Sequence, residues 1–377
     1  MRERDQGIDY VYLIIFCLIL LFGLIMLTSA GTAIGYSKFA DRYYFIKRQL
    51  LYGVLPGLIA LFAIIRLPPL WLKRLSLPFF GLNILLLVLV LIPGLGSSFG
   101  TGAQSWLSVL GYSFQPAELA KLATILFLAQ FLATRGGEIQ DLYRGFIPSL
   151  FVGFLPVGLI VLQPDVGTAA ILFATVFGML FFAGAKLKHL GAVTICGVLV
   201  LVLLIARAPY RADRLTTFLH PELHPQGIGY QINQAFLAIG SGGWFGLGFN
   251  HSRQKFQYLP EVHADSIFAI MAEEMGFLIM SGFLFLLLFL AYRGLRIGKQ
   301  AGDSFGKLAA SGIVIWLVIQ SVLNVGAMVG LLPLTGVPLP FVSHGGTALL
   351  IAMTAIGCML NISRTRGVTG ETKSHRV

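Results

Sequence analysis

Long apolar runs separated by short polar segments make up most of the chain. A helix that crosses a bilayer needs about 20 apolar residues, and by that measure the pattern predicts about ten spans. They lie at residues 11–30, 46–65, 76–93, 117–134, 146–162, 168–184, 190–206, 266–292, 308–331 and 345–362. One long segment, about 207–265, separates spans seven and eight. We therefore expect an all-α polytopic membrane protein with one large loop.

The composition supports this fold class. Of 377 residues, 56% are hydrophobic and 11% are charged, whereas a soluble domain is about 25% charged. The net charge of +11 comes mainly from Lys and Arg in short inter-helix loops, which membrane topology requires without any nucleic-acid partner. Cys17, Cys196 and Cys358 lie in different apolar runs without metal-ligand spacing, so neither disulfides nor a zinc site are indicated.

The first apolar run, from about Tyr10 to Ala30, has two interpretations. Arg2 and Arg4 precede it and small residues follow at 28–33, as in a cleaved signal peptide. The run is longer than the hydrophobic region of a typical signal peptide, and many spans follow it. We therefore expect a retained first helix.

The distribution of basic residues predicts the orientation of the spans. Segments 94–115, 163–167 and 332–344 contain no Lys or Arg. Because short basic loops stay in the cytoplasm, we assign these segments and the long loop to the outer side, and both termini to the cytoplasm. Residues 1–363 then form a single transmembrane domain. Residues 364–377 form a polar cytoplasmic tail that we expect to be disordered.

This topology places the N-terminal ends of the even-numbered spans at the outer surface, where polar residues cluster. The ends carry Lys47 and Arg48, Gln115 to Lys121, Asp165, Asp265, and Ser343 to Gly346. Helix N-termini also present unpaired N–H groups and the positive end of the helix dipole. The pattern predicts an outward-facing, partly cationic site that suits an anionic headgroup such as a phosphate.

Asp265 stands at the mouth of span eight, just after Glu261 and His263. A carboxylate at the end of a membrane helix is costly and indicates function, so Asp265 is our candidate general base. The alternative is a helix N-cap. At about 100° per residue, Glu273 falls near the helix face of Asp265, whereas Glu274 faces a neighbouring helix. Both also suit structural partners such as Ser, Asn or Arg.

Other segments carry weaker candidates. Glu118 and Lys121 share a helix face at i,i+3, which suits either a self-neutralising pair or a phosphate contact. Trp106 suits an interfacial anchor as well as a substrate contact. Residues 229–250 predict a short amphipathic helix and a Gly-rich turn. Side chains in and before it that offer hydrogen bonds to a sugar are Gln226, Tyr230, Gln231, Asn233 and Gln234.

Several strings, in order, resemble the SEDS family of bacterial cell-wall proteins (shape, elongation, division and sporulation) over nearly the whole chain. They are GAQSW at 102–106, QPAELAK at 115–121, PDVGTA at 164–169, GYQ at 229–231, YLPEVHAD at 258–265 and PLPFVSHGG at 338–346. Segments 45–49 and 252–260 look more like the division type (FtsW) than the elongation type (RodA), although 336–340 is common in the latter. The family usually has Ser, Thr and Tyr where Ala117, Ala264 and His344 stand. His344 would thus add a group that titrates near neutral pH.

The resemblance implies a ten-span peptidoglycan glycosyltransferase that polymerises lipid II outside the bacterial cytoplasmic membrane. It implies Asp265 as the essential acidic residue and Glu118 and Lys121 as supports of the cavity. Asp265 would deprotonate the attacking sugar hydroxyl, with inversion by analogy with glycosidases, and Arg48, Lys121 or Lys255 would stabilise the diphosphate leaving group. The expected substrate-binding residues are Arg48, Lys121, Glu118, Lys255, Glu261, His263, Gln115, Trp106, Ser343 and His344.

The implied partners are lipid II, a lipid-linked glycan strand, a class B penicillin-binding protein (a transpeptidase) and other division or elongation membrane proteins. No ligand cluster demands a metal, and a divalent cation is left open as a cofactor. Two alternatives remain: a lipid II flippase, with charges lining a path to the inner face, and a scaffold that only recruits a transpeptidase. The charges gather at the predicted outer ends, which favours the enzyme.

Overall fold

The computed structural model describes residues 7–97, 104–109, 112–207, 209–220, 227–256 and 258–365. Gln226, the start of the string at 102–106 and the tail from 366 onward lie outside these residues. The helices are α1 (Tyr10–Ala30), α2 (Thr32–Phe39), α3 (Tyr44–Gln49), α4 (Leu55–Arg66), α5 (Pro69–Leu91), α6 (Pro116–Arg135), α7 (Ile147–Leu162), α8 (Val166–Phe182), α9 (Leu187–Ala206), α10 (Pro209–Leu219), α11 (Ile228–Gly242), α12 (Ile267–Gln300), α13 (Ser304–Met328) and α14 (Gly346–Arg364). A π-helical turn, Leu50–Val54, joins α3 to α4, and short turns at Gly136–Gln140 and Leu142–Phe146 join α6 to α7.

The helices confirm the predicted spans. Nine helical segments in the described part of the chain are long and apolar enough to cross a bilayer, and α8 is a shorter apolar helix of 17 residues. Each lies where the hydropathy pattern predicts a span. The largest differences are in α5, which starts at Pro69 rather than at 76, and in α12, which continues to Gln300. Pro69 explains the early start, because proline is favoured at the first helical position.

A small sheet interrupts the otherwise helical fold in a segment that the sequence predicted as a loop. Strands β1 (Gly96–Ser97), β2 (Trp106–Val109) and β3 (Tyr112–Phe114) form an antiparallel sheet in that order. Ser97 pairs with Trp106, and Leu107 pairs with Phe114. Aromatic and β-branched residues favour such pairing. The sheet ends two residues before α6 begins, so it leads directly into that helix.

Helix α12 is broken at Gly276, where the sequence predicted one continuous span. Gly276 has φ 72° and ψ 177°, a conformation that only glycine adopts readily. A Cβ there would lie 2.2 Å from the Gly246 nitrogen. The Gly-rich turn after α11 fills the break: Leu247 N–H donates to the Glu273 carbonyl (2.9 Å), and Phe277 N–H donates to the Gly243 carbonyl (2.9 Å). The segment 267–275 is therefore a short separate helix ahead of the span.

The buried centre of the bundle consists of α6, α13 and α14. Most residues of these helices are buried, and α13 packs against α6, α8 and α12. In contrast, Leu190 is the one buried residue of α9, at the periphery. Polar side chains that project from the central helices are consequently screened from solvent. The candidate site lies at one end of this centre.

Candidate active site

Hydrogen bonds join the loops that precede α12 and α14. His344 N–H donates to the His263 carbonyl (2.8 Å), and the Ser343 hydroxyl donates to the Ala264 carbonyl (2.6 Å). The buried Gln49 side chain, at the end of α3, donates to the Ser343 carbonyl (3.1 Å). The polar ends predicted for spans two, eight and ten therefore lie together. Because Ala264 contributes its carbonyl, the absence of a threonine hydroxyl at 264 does not affect this contact.

The two remaining polar ends lie at the same end of the bundle. Gln115, just before α6, donates to the Asp165 carboxylate (3.4 Å), which also accepts from Thr168 N–H (2.9 Å) and so caps α8. Burial raises the pKa of the Asp165 carboxyl. Gly167 packs against the loop between α13 and α14, where a Cβ would lie 2.8 Å from the Thr335 carbonyl oxygen. The predicted convergence of the five ends is confirmed.

Asp265 lies two residues before α12. The N-cap of that helix is Ser266, which makes no side-chain capping bond, so the N-cap interpretation of Asp265 is wrong. The Asp265 carbonyl accepts from the Asn324 side chain of α13 (2.8 Å). Its carboxylate Oδ1 is buried and has no hydrogen-bond partner within the described residues. A buried polar atom normally has a partner, so this oxygen retains the capacity to accept a hydrogen bond from a ligand.

The surroundings of Asp265 change its acidity. Burial raises the pKa of the carboxyl to about 6, and the negative charge of Glu261 adds to the rise. Hydrogen bonds from the N–H groups of Asp265 and Ser266 and from the Gln231 side chain oppose it. Gln231, on α11, also donates to the Ser266 hydroxyl (2.9 Å). A carboxylate with a pKa near the working pH is suited to general-base catalysis.

Two histidines and a phenylalanine pack together beside Asp265. The Phe45 ring centre lies 4.0 Å from that of His263 and 5.1 Å from that of His344. Burial lowers the pKa of both histidines to about 4, aided by the positive charge of Lys38 near His263 and by His263 and Arg48 near His344. The prediction that His344 titrates near neutral pH is therefore wrong, because burial penalises the charged imidazolium.

Arg48 and Glu261 are exposed charged groups at this end of the bundle. The Arg48 guanidinium lies over the Tyr44 ring, 4.8 Å from its centre, and 5.9 Å from the centre of the Tyr52 ring. The Glu261 carboxylate lies 3.9 Å from His263 Nε2, which is uncharged at neutral pH because its pKa is low. Both side chains are therefore accessible to a charged headgroup.

Glu118 and Lys121 form a buried ion pair in the first two turns of α6, with Lys121 Nζ 2.8 Å from Glu118 Oε1. Lys121 Nζ also donates to Gln320 Oε1 on α13 (2.9 Å) and lies 5.1 Å from the centre of the Trp316 ring. Glu118 Oε2 is buried and has no partner in the described chain. An ammonium group has three donor hydrogens, so these two hydrogen bonds leave one hydrogen for a ligand.

Lys255 forms a second buried ion pair, with Glu274 Oε1 at 3.0 Å. Its ammonium group also donates to Asn250 Oδ1 (2.6 Å) and to the Ser29 hydroxyl (3.0 Å). Three hydrogens therefore meet three acceptors, and this arrangement leaves none for a substrate. The structure does not bring Lys255 together with the exposed part of the site.

Glu273 and Glu274 both hold the loop after α11. Glu274 accepts from the N–H groups of Asn250 (3.0 Å) and Ser252 (3.2 Å). Glu273 accepts from the Ser252 hydroxyl and from Arg253 N–H (2.9 Å). The interpretation of both residues as structural partners of neighbouring polar groups is confirmed. The interpretation of Glu273 as a group that lines the cavity is wrong.

Trp106 lies in the small sheet rather than in the Asp265 loop. It starts β2 and is partly buried. Because its neighbour Leu107 pairs with Phe114, Trp106 lies across from the head of α6, where Gln115 stands. The register thus places the backbone of Trp106 beside the chain that leads into α6.

Sequence reasoning missed three amides that organise this end of the bundle, namely Gln49, Gln320 and Asn324. All three are buried, and each donates to a backbone carbonyl of a neighbouring loop. Their signal was present, because polar side chains within apolar membrane spans indicate function. Among the residues that the structure describes, no group of three or more His, Cys, Asp and Glu side chains could hold a metal ion.

Comparison with known proteins gives consistent matches over nearly the whole chain. The family model described as cell cycle protein, of the FtsW, RodA and SpoVE type, matches residues 9–367. Stage V sporulation protein E of Bacillus subtilis (strain 168) is 43% identical over 97% of this chain and 99% of its own. The probable peptidoglycan glycosyltransferase FtsW of Geobacter sp. (strain M18) is 37% identical over 97% of this chain and 99% of its own.

Solved structures match the fold as well. A chain of a peptidoglycan synthase complex, described for its coordination of polymerization and crosslinking, superposes with a TM-score of 0.78 at 28% identity, over 95% of this chain and 98% of that one. The rod shape determining protein RodA of Thermus thermophilus superposes with a TM-score of 0.71 at 28% identity, over 96% of this chain and 98% of that one.

Proposed function

The chain belongs to the FtsW, RodA and SpoVE family of cell cycle proteins, and from this premise we propose how it works as a peptidoglycan glycosyltransferase. Relatives that share 37% to 40% of its sequence are named for this activity. We propose that it polymerises lipid II into glycan strands during septal or lateral wall synthesis, with Asp265 as general base. The division type is favoured, since many relatives are FtsW proteins.

The proposed reaction is a displacement at an anomeric carbon. A sugar hydroxyl of lipid II attacks that carbon in a lipid-diphosphate-linked strand, and a new glycosidic C–O bond forms. The bond from the anomeric carbon to the diphosphate oxygen breaks, and the diphosphate leaves with the electron pair. The hydroxyl proton passes to the Asp265 carboxylate. A single displacement assisted by one base inverts the configuration.

The buried Oδ1 atom of the Asp265 carboxylate is the observation that carries this proposal. Its Oδ1 is buried without a partner in the described chain, and burial holds its pKa near the range in which a base is effective. The ends of several helices converge around it, and their N-terminal dipoles favour negative charge on a bound headgroup. A base and an anion site are the two parts that this reaction needs.

The charge on the leaving diphosphate needs a cation, and we propose Lys121 and Arg48 for this role. Lys121 has a donor hydrogen that its two described hydrogen bonds leave unused. Arg48 is exposed beside His344 and can meet a headgroup that arrives from solvent. We propose a structural role for Lys255, since its three hydrogens already have acceptors. Preorganised charge of this kind lowers the barrier because it needs no rearrangement during reaction.

The spans make the chain an integral membrane protein, and we propose that it resides in a bacterial cytoplasmic membrane with the Asp265 site facing outward. Support comes from the absence of Lys and Arg in 94–115, 163–167 and 332–344. We also propose a transpeptidase partner of the class B penicillin-binding type, because a structural relative is part of a synthase complex that couples polymerization to crosslinking.

The test compares purified wild-type protein with Asp265→Asn, each incubated with lipid II and the candidate partner, on gels that resolve glycan chains. We expect polymer from the wild type and a loss of at least about 100-fold in Asp265→Asn, within the range for removal of a general base. Asp303→Asn is the matched control. Asp303 caps α13 through Gly306 N–H, and asparagine caps equally well. Its carboxylate also pairs with Lys73, and a partly exposed pair of this kind contributes little to stability.

Wild-type rates in Asp265→Asn would reject Asp265 as the base. If neither protein made polymer, lipid II translocation in vesicles would be measured next. Translocation by both would support the flippase alternative. A wild-type protein that neither polymerises nor translocates, but binds a transpeptidase, would support the scaffold alternative.

A further inference from the structure

One face of α13 carries polar side chains on successive turns. Trp316, Gln320 and Asn324 are four residues apart, so they share a helix face, with neighbours about 6 Å apart along the axis. The two amides are buried, with 3% exposure for Gln320 and 2% for Asn324. We call Gln320 and Asn324 the amide pair. Each of them bridges two of the segments that form the proposed site.

Asn324 joins the Asp265 loop to the loop between α13 and α14. Its Nδ2 group donates to the Asp265 carbonyl (2.8 Å) and to the Val337 carbonyl (2.9 Å). Both donor hydrogens are used, and a flipped amide would place Oδ1 against two carbonyl oxygens. The side chain therefore has one stable orientation, which fixes the backbone that carries the carboxylate.

Gln320 does the same for the buried ion pair. Its Oε1 accepts from Lys121 Nζ (2.9 Å) and from Trp316 Nε1 (2.7 Å), and its Nε2 donates to the Pro338 carbonyl (2.8 Å). Pro338 directly follows Val337, so both amides hold the same loop. Lys121 and the backbone of Asp265 are thereby attached to adjacent turns of one helix.

We propose that Gln320 and Asn324 are positioning residues for glycosyl transfer, which hold the Glu118–Lys121 pair and Asp265 at a fixed separation across one loop. This inference rests on the proposed function. The amide pair acts through the backbone of Asp265 and the ammonium of Lys121, not through the reacting atoms. A displacement of about 1 Å in such a site can reduce a rate by about 100-fold, so the fixed separation matters for kcat.

Asn361, on α14, is a matched control for Asn324. It is fully buried, and its Nδ2 group donates to the Ile64 carbonyl (2.8 Å) and the Leu67 carbonyl (2.7 Å). Like Asn324, it has a buried Oδ1 without a partner in the described chain. It lies 15 residues beyond the start of α14, about 22 Å along the helix. The two asparagines thus make the same bonds, and only Asn324 holds Asp265.

The experiment measures kcat and KM for lipid II polymerisation by the purified full chain as wild type, Asn324→Leu, Asn361→Leu, Gln320→Leu and Asp265→Asn. Thermal unfolding gives the folded fraction of each. We expect kcat to fall by about 10- to 100-fold in Asn324→Leu and Gln320→Leu, with little change in KM, because alignment is lost rather than substrate affinity. Asn361→Leu should retain wild-type kcat per folded molecule.

The pH dependence separates positioning from general stability. Among the described residues, Glu261 is the charged group that acts on the pKa of Asp265. His263 lies on the same loop with Lys38 near it, and His344 lies beside His263 with Arg48 near it. Asn324→Leu should loosen the loop, so that water reaches the Asp265 carboxylate and lowers its pKa. The acidic limb of the pH profile, which is the range in which kcat falls as the pH is lowered, should then move below its wild-type position near pH 6. A role in stability alone would not move this limb.

The inference is overturned if Asn324→Leu keeps the wild-type kcat. It is also overturned if Asn324→Leu and Asn361→Leu lose activity equally and the acidic limb of the kcat profile stays at its wild-type pH. Failure of the proposed function gives a different result. An inactive wild type, or an active Asp265→Asn, would overturn both the function and this inference, whereas an unaffected Asn324→Leu beside an inactive Asp265→Asn would overturn only the inference.

Discussion

Two buried lysine–glutamate pairs have similar chemistry and different surroundings. Lys121 and Glu118 lie at the head of α6, with side chains 1% and 3% exposed, and Lys255 and Glu274 lie beside the break in α12, with 1% and 0%. The Lys255 ammonium has three protein acceptors, and the Glu274 carboxylate holds backbone N–H groups of the neighbouring loop. The first pair leaves Glu118 Oε2 without a partner in the described chain.

This difference shows that burial of a charge does not by itself identify a functional residue. A fully satisfied buried pair holds segments together, and removing one partner leaves an uncompensated charge. A partly satisfied pair retains hydrogen-bonding capacity at a desolvated position, where an interaction with a ligand is strong. On this basis we propose a structural role for the pair at Lys255 and a role in the reaction for the pair at Lys121.

The largest expected effect is loss of stability in Lys255→Met. The change leaves the buried Glu274 carboxylate without a positive partner, which should reduce the free energy of unfolding by about 3–5 kcal/mol. Thermal unfolding in detergent measures this loss. Polymerisation per folded molecule should stay close to wild type, and a marked fall in kcat without loss of stability would contradict the assignment of this pair.

The next effect is loss of activity in the double variant Glu118→Gln/Lys121→Met. Neutralising both partners leaves no unpaired buried charge, so the free energy of unfolding should change little. Polymerisation should fall by about 100-fold or more, because a preorganised charge near the leaving group is lost. The matched double variant Glu274→Gln/Lys255→Met should polymerise normally per folded molecule. Equal losses in the two double variants would remove the distinction between the pairs.

The pH profile should show that Asp265, rather than Lys255, sets the acidic limb. The base must be ionised, and burial raises the pKa of Asp265 to about 6, so kcat should fall about tenfold per pH unit well below this value. Glu261→Gln should shift the limb to lower pH, because the Glu261 charge raises this pKa. Lys255→Met should leave it in place. Initial rates measured from about pH 5 to about pH 8 decide this.

The smallest effect is expected for an exposed pair, Lys47 with Asp41, whose N–O distance is also 2.8 Å. The Lys47 side chain is 65% exposed, and pairs in water contribute little because solvent and salt screen them. Asp41→Asn should leave the thermal unfolding midpoint and the polymerisation rate unchanged. A clear loss of stability would mean that pair geometry matters more than burial.

Much of the fold could be predicted from hydropathy, because the length of an apolar run and the loop charges are local properties. The ten spans and the convergence of their polar ends follow from this pattern. The break at Gly276 could not be predicted, since it depends on Gly246 and its neighbours, 30 residues earlier, which pack into the gap. The strands at 96–114 pair over short distances, and their few residues give too weak a periodicity.

The candidate site was predictable in its residue types and not in its pairings. Asp265 and Lys121 were identified because charges near membrane helices are rare. Lys255 was grouped with them, although its acceptors Ser29 and Glu274 come from other parts of the chain that only the fold brings together. His344 was expected to titrate near neutral pH, which is the usual range for a histidine. Its pKa is lowered by burial against Phe45, and that burial depends on tertiary packing that the sequence does not show.

The break at Gly276 also affects how the protein meets bilayers of different thickness. An unbroken helix of 34 residues would be about 51 Å long, far beyond a hydrocarbon core of about 30 Å. The part from 277 to 300 is about 36 Å long, so a moderate tilt resolves the hydrophobic mismatch. The part from 267 to 275 is tied to the turn after α11 and need not follow that tilt. Acyl-chain length should therefore change the inclination of the span while the Asp265 loop keeps its place in the bundle.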